Sequence, residues 1–186
     1  MAITSEPWSS SAPNAAGHRL VKIELPVLEA LSSGDLETAC GLSTEHLPPF
    51  LIADTYRSLW SRRSAQIKID PRDALWVTRL VVISETGAVV GCAGFHGQPD
   101  QAGMVEVGYR IDPLYRRQGH ARAALEILLD VAANEPLVKV VRATIQPDNI
   151  PSRSLIDRYD FREVGEQWDE EDGLEVILEK TVVANK

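Results

Sequence analysis

The sequence predicts an α/β (α+β) chain built on one mixed sheet flanked by helices. Three observations carry that reading. Short β-branched and apolar stretches recur between turn residues, as strands do. Other segments repeat apolar residues at i, i+3, i+4 and i+7, the spacing of an amphipathic helix. The two kinds follow one another as β-α-α-β-β-β-α-β-α-β-β, an order that combines strands and helices in one layered domain.

The elements follow in order. Residues 1–17 are rich in Ser, Pro, Ala and Asn and read as a flexible leader with little apolar content to pack. Residues 18–186 read as a single domain. Residues 18–25 alternate polar and apolar side chains, a strand pattern. Residues 27–40 hold one or two short helices broken at Ser33-Gly34, with Asp35 placed to cap the second. Pro48-Pro49 interrupts any helix there. A helix is expected over 54–65, with Tyr56, Leu59 and Trp60 on one face. Residues 76–84 and 88–96 read as strands joined by the turn Glu85-Thr86-Gly87.

A loop over 97–103 leads to a strand over 105–111. From 119 to 134, Ala121, Ala124, Leu125, Leu128 and Ala132 mark a helix. A buried-type strand over 139–146 follows. A short helix over 149–159 tolerates Pro151 in its first turn. Strands over 162–168 and 174–182 close the chain around the acidic turn at 169–173.

Composition narrows the function classes. The 186 residues are 44% hydrophobic and 25% charged, ordinary for a globular protein. A formal net charge of −8 argues against nucleic acid as a partner, because phosphate binding needs a basic surface. It suits a cationic substrate or simply solubility. No apolar stretch approaches the roughly 20 residues of a membrane span, so no membrane partner is expected. The start lacks the pattern of a signal peptide. The two cysteines, Cys40 and Cys92, form no Cys-x-x-Cys pair, so no metal is expected and a cytoplasmic location is.

The richest segment is Arg116-Arg117-Gln118-Gly119-His120-Ala121. It follows the strand at 105–111 and opens the helix at 119–134. The first N–H groups of a helix lack partners and carry the positive end of its dipole. An anion at that end is stabilised. Gly119 lets the backbone approach it closely. Arg116 and Arg117 add donors suited to phosphate oxygens. The other reading is a surface loop with two solvated arginines.

This arrangement resembles the GNAT superfamily of acyl-CoA-dependent N-acetyltransferases. Its Gln/Arg-x-x-Gly-x-Gly/Ala signature is met by Arg116, Gly119 and Ala121. Glu106-Val107-Gly108-Tyr109 and Asn149-Ile150-Pro151-Ser152 look most like the branch containing ribosomal-protein N-terminal (alanine/serine) acetyltransferases. The resemblance covers about residues 18–182. It implies a mostly antiparallel mixed sheet of about seven strands with about four helices. It also implies acetyl-CoA as co-substrate, with its pyrophosphate on the backbone of Arg117, Gln118, Gly119, His120, Ala121 and Arg122. The backbone of Tyr109, Arg110 and Ile111 would pair with the pantetheine arm, and Asn149 would touch it further along. Family dimers are common, so a homodimer is allowed.

The acid–base residues are less defined. Acetyl transfer needs a neutral amine, and an alkylammonium holds its proton to about pH 10.4. Glu106 is the base candidate by resemblance; otherwise it is an exposed strand glutamate or an ion-pair partner. Ser152 is the candidate acid or orienting group; otherwise it serves the helix backbone. Asn149 has the same rival role as an N-cap. The chain departs from the family pattern twice. Thr144 stands where some members carry a glutamate, and Ile156 where many carry a tyrosine acid. Tyr159 is off that register.

No cysteine falls at the expected reaction centre, with Cys92 one strand away as a weak exception, so direct attack in a ternary complex is expected. His96 ends a strand near the expected acceptor side and reads either as a proton relay or as structural or solvent-facing, and His120 reads as a backbone contributor. Trp76, Trp60 and Phe50 line either a pocket or the core. The acceptor is a small-molecule amine or a protein N-terminus, chosen by loops in 40–75 and 97–103. A non-catalytic acyl-CoA sensor or scaffold, a different acyl donor and an oxygen acceptor are the alternatives.

Overall fold

A computed structural model of the chain describes residues 3–170 and 173–182. Seven strands form one sheet: β1 (His18–Val21), β2 (Arg79–Ile83), β3 (Val89–Phe95), β4 (Met104–Ile111), β5 (Val140–Ile145), β6 (Arg162–Asp169) and β7 (Gly173–Thr181). Five α-helices accompany them: α1 (Leu25–Ser33), α2 (Leu36–Leu42), α3 (Asp54–Ile69), α4 (His120–Asn134) and α5 (Ile150–Ile156). The expected count of about four helices rises to five because the 27–40 stretch divides. Asp35 makes the division, since its side chain accepts from the Thr38 N–H and starts α2 anew.

The strand order is β1-β2-β3-β4-β5-β7-β6. Every neighbouring pair is antiparallel except β4 and β5. That parallel pair is joined by α4, the crossover that parallel strands require. Its register positions the site. β4 and β5 pair from Met104↔Val140 to Glu106↔Arg142. Beyond Glu106 they part. β4 continues along β3, from Val107↔Phe95 to Ile111↔Gly91. β5 continues along β7, from Ala143↔Leu178 to Ile145↔Val176. Among the described residues the sheet is therefore split from Glu106 onward.

Alternate strand residues send their side chains to opposite faces. One face packs Leu80, Val82 and Cys92 against Leu28, Leu31 and Trp60 of α1 and α3. The other packs Val105, Val107 and Val141 against Leu125 and Leu128 of α4. Trp60 and Trp76 are buried in these two cores, so they serve packing, and the Trp60 indole donates to the Leu51 carbonyl at 2.7 Å.

Residues 3–17 correct the expectation of a flexible leader. Trp8 is buried and exchanges two backbone hydrogen bonds with Leu20, at 2.9 and 2.8 Å. The Arg79 guanidinium stacks 3.6 Å from the Trp8 ring centroid. It donates to the carbonyls of Glu6 and Thr4, both at 2.8 Å. A buried charge needs such acceptors. One aromatic and one buried arginine hold a segment whose composition alone gives no reason to pack. Glu171 and Asp172 of the expected acidic turn lie outside the described residues, as do 183–186 of the expected domain.

Candidate functional site

The site follows β4 from the split to the start of α4. Past Glu106, β4 has β3 on one side and the gap on the other. Tyr109, Arg110 and Ile111 thus sit on a strand edge inside the sheet. An extended chain can pair with such an edge through its own polar groups. The Arg110 side chain serves elsewhere: it donates to the Thr55 carbonyl at 2.7 Å and lies 5.5 Å from the Tyr56 ring centroid.

The loop after β4 is held by its own side chains. Asp112 accepts from the Leu114 N–H at 2.9 Å, and Arg116 Nε donates back to the Ile111 carbonyl at 3.1 Å. Gln118 donates to the Leu114 carbonyl at 3.2 Å. Arg117 has φ 61° and Gly119 φ 91°, both in the left-handed region. Left-handed residues of this kind turn successive N–H groups inward into a concave anion seat. Gly119 is the N-cap of α4 and supplies no side-chain cap, so the first N–H groups of α4 stay available. Arg116, Arg117, Gln118 and Gly119 are exposed, and Ala121 is half-buried.

The His120 and Arg122 side chains find partners outside this loop. The His120 ring is buried, with Nδ1 2.8 Å from His18 Nε2. Burial, then His18, pushes the His120 imidazole below its ordinary value. Arg122 joins a polar cluster at Glu126 (3.2 Å) and the Tyr159 hydroxyl (3.0 Å). Tyr159 therefore has a structural post and stays outside the site.

Asn149 caps α5, its Oδ1 accepting from the Ser152 N–H at 3.3 Å. Ser152 itself is half-buried. The Tyr109 hydroxyl is buried and makes no hydrogen bond of good geometry. Burial pushes its phenol upward, and the nearby Ser152 hydroxyl opposes part of that push. Ser152 and Tyr109 thus form one small polar group.

Glu106 leaves β4 on the face opposite Tyr109, because the two are three residues apart. Its Oε1 accepts from the Thr144 hydroxyl at 2.6 Å and lies 3.3 Å from His96 Nδ1. Burial pushes the carboxyl up, but His96, Thr144 and Arg142 together outweigh it. The group ends below the ordinary glutamate value. It is an ionised carboxylate at neutral pH. Ser152 and Glu106 are therefore brought to the same split, on opposite faces.

Sequence reading raised His96 as a proton relay without joining it to Glu106, and it missed Thr144 as a partner. Thr144 is the departure from the family pattern, and it proves to be a Glu106 partner. His96 follows β3, and its N–H donates to the Glu106 carbonyl at 2.8 Å. Counting back from the 97–103 hairpin places it opposite Glu106, which is the signal that was there to find. Its carbonyl is fixed by Arg63 (3.1 Å) and Gln66 (2.8 Å). It also borders a cleft of about 430 Å³ lined by Arg62, Arg63, Gln66, Ile69 and Asp73.

Cys92 is buried, and its thiol is pushed up to about 12 by that burial. A thiol held in that form is no nucleophile. Among the described residues no group of three or more His, Cys, Asp or Glu is placed to hold a metal, and no helix is long and apolar enough to cross a membrane.

The acetyltransferase (GNAT) domain family matches residues 27–162. An uncharacterized N-acetyltransferase, YjdG of Bacillus subtilis, is 26% identical over 145 residues, covering 77% of this chain and 84% of its own. Among solved structures, the fold is shared with the ribosomal L7/L12 alpha-N-protein acetyltransferase RimL in complex with coenzyme A. That likeness has a TM-score of 0.65 and 15% identity, over 97% of this chain and 100% of RimL. It is also shared with the microcin C7 self-immunity acetyltransferase MccE in complex with acetyl-CoA and AMP. There the TM-score is 0.63 and the identity 14%, over 97% and 99% of the chains.

Proposed function

The chain belongs to the GNAT acetyltransferase family, and on that basis we propose that it moves an acetyl group from acetyl-CoA to a primary amine by direct attack within a ternary complex. The observation that carries this is the split between β4 and β5, which opens at Glu106 and leads to the uncapped N-terminus of α4. A pyrophosphate would rest on the N–H groups of Arg117 to Arg122, with Arg116 and Arg117 adding charge. The pantetheine arm would run along Tyr109, Arg110 and Ile111 toward Glu106 and reach Asn149 on the facing strand's side.

The reaction needs a group that draws a proton from the amine and one that protonates the leaving thiolate. The Glu106 carboxylate supplies negative charge at the first place. The Ser152 hydroxyl, beside Tyr109, supplies a proton at the second. The likeness to enzymes named for ribosomal-protein N-termini favours a peptide or protein N-terminus as acceptor, with small amines next. Free Cys40 and Cys92 fit a reducing cytoplasm.

The test is titration calorimetry with acetyl-CoA, followed by intact-mass analysis of amines and N-terminal peptides incubated with both. A gain of one acetyl group with release of free coenzyme A is expected. Binding without transfer to any acceptor would leave a sensor or scaffold in its place.

A further inference from the structure

Glu106 stands at the apex of the split sheet, but much of its carboxylate is covered. The side chain is 20% exposed, and its neighbour His96 is 45% exposed. His96 Nδ1 faces Glu106 Oε1 at 3.3 Å. The other ring nitrogen lies against β4 one residue pair further on. A Cβ at Gly108 would stand only 2.7 Å from His96 Nε2, so glycine there is what lets the ring lie along the strand. On its outer side His96 borders the 430 Å³ cleft of α3. One imidazole thus touches the carboxylate, the free reach of β4 and the cleft.

We propose that His96 takes the proton from the attacking amine, with Glu106 as its positioning residue and the α3 cleft as the acceptor's approach; the assignment rests on the acetyl-transfer reading above. A carboxylate partner on Nδ1 fixes the tautomer with Nδ1–H donating, which leaves the Nε2 lone pair free. Glu106 already holds the Thr144 hydroxyl and the ring N–H. Its proton affinity is lowered by them, so the carboxylate serves better to orient the ring than to take the proton itself.

The step balances simply. The amine lone pair forms the C–N bond at the thioester carbon, and the C=O π pair moves to oxygen. The N–H proton passes to His96 Nε2. The oxyanion collapses, the C–S bond breaks with its pair on sulfur, and the thiolate takes a proton from Ser152, which water replenishes. His96 returns its proton to water through the cleft.

The charged groups around the ring are Glu106 from β4, Arg142 from β5, Arg62 and Arg63 from α3, and Asp73 from the turn before β2. His96 is the one imidazole in the set. The test uses the full chain, acetyl-CoA and the fastest acceptor peptide or amine from the screen above. The kcat/KM of the parent should fall along an acidic limb as the base takes up its proton. His96→Gln should lose that limb and about 10²-fold in kcat, with acetyl-CoA affinity unchanged. Glu106→Gln should keep the limb and lower kcat without raising the KM for acetyl-CoA, because the ring loses the acceptor that orients it.

Retention of the limb in His96→Gln, with kcat close to the parent's, overturns the role of His96 and leaves acetyl transfer standing. An unchanged kcat in Glu106→Gln, or a loss carried by the KM for acetyl-CoA, overturns the positioning role. A parent protein that binds acetyl-CoA and acetylates no amine overturns the reaction, and the His96 role with it.

Discussion

The loop into α4 offers backbone, whereas the cluster at the split offers side chains. Residues 116–122 are contiguous, and what they present is N–H groups turned by two left-handed residues, Arg117 and Gly119. His96, Glu106 and Thr144 come from three separate segments and meet through their side chains. The first region depends on local conformation and tolerates many side chains. The second depends on strand register, because one residue of slip would send each side chain to the opposite face. A change at either region should therefore damage a different step.

The largest effect should come at the split. Glu106→Gln keeps the size of the side chain and a partner for Thr144, but removes the negative charge beside His96. The kcat should fall about 10²-fold, close to the loss in His96→Gln, because the base is no longer held for proton transfer. Acetyl-CoA affinity should hold, since the pyrophosphate seat proposed at the start of α4 is beyond the far end of β4. Steady-state kinetics with titration calorimetry read both. A matching loss of acetyl-CoA affinity would break the separation of the two regions.

A smaller effect of the opposite kind is expected at the loop. Gly119→Val has open space, since a Cβ there meets no atom within 4 Å. The cost lies in the backbone, because a β-branched residue is strained at φ 91°. Strain of about 1–3 kcal/mol corresponds to roughly a 5- to 150-fold weaker acetyl-CoA complex. The kcat at saturating acetyl-CoA should change little. Equal losses in Kd and kcat would show that the loop also positions the reacting atoms.

The same contrast explains what was legible in the sequence. All seven strands were: six alternate or run apolar between turn residues, and β6 was placed by the acidic turn after it. The turn into α4 was legible too, since a glycine and two arginines lie side by side in front of a periodic helix. The His96–Glu106–Thr144 group was not: the first pair lies ten positions apart in the chain, and Thr144 belongs to a strand paired through a crossover. Thr144 was noticed only as a missing glutamate. Residues 3–17 were misread for a related reason. Trp8 earns its place through Leu20 and Arg79, which no local composition records. The end of α3 at Ile69 rather than 65 is the ordinary vagueness of helix ends.

The smallest effect sharpens the comparison most, because it leaves every charge in place. Thr144→Val removes only the hydroxyl that donates to Glu106 at 2.6 Å. A hydrogen bond to a charged group contributes about 1.5–3 kcal/mol. Much of the loss should be recovered here, because His96 and Arg142 still face the carboxylate, so kcat should drop only about fivefold.

The variant should also change acid stability. In the folded parent, Glu106 titrates below its unfolded value. Its contribution is therefore present above the ordinary glutamate range, about pH 4.3. It is lost as pH falls through the lower folded value, where the unfolded chain binds more protons. Without the threonine hydroxyl, the folded value moves up toward the unfolded one. Urea midpoints measured from pH 6 down to 3 should then fall less steeply in Thr144→Val than in the parent. Equal slopes would mean that His96 and Arg142 hold the carboxylate ionised by themselves, and that Thr144 merely fills the space where the strands part.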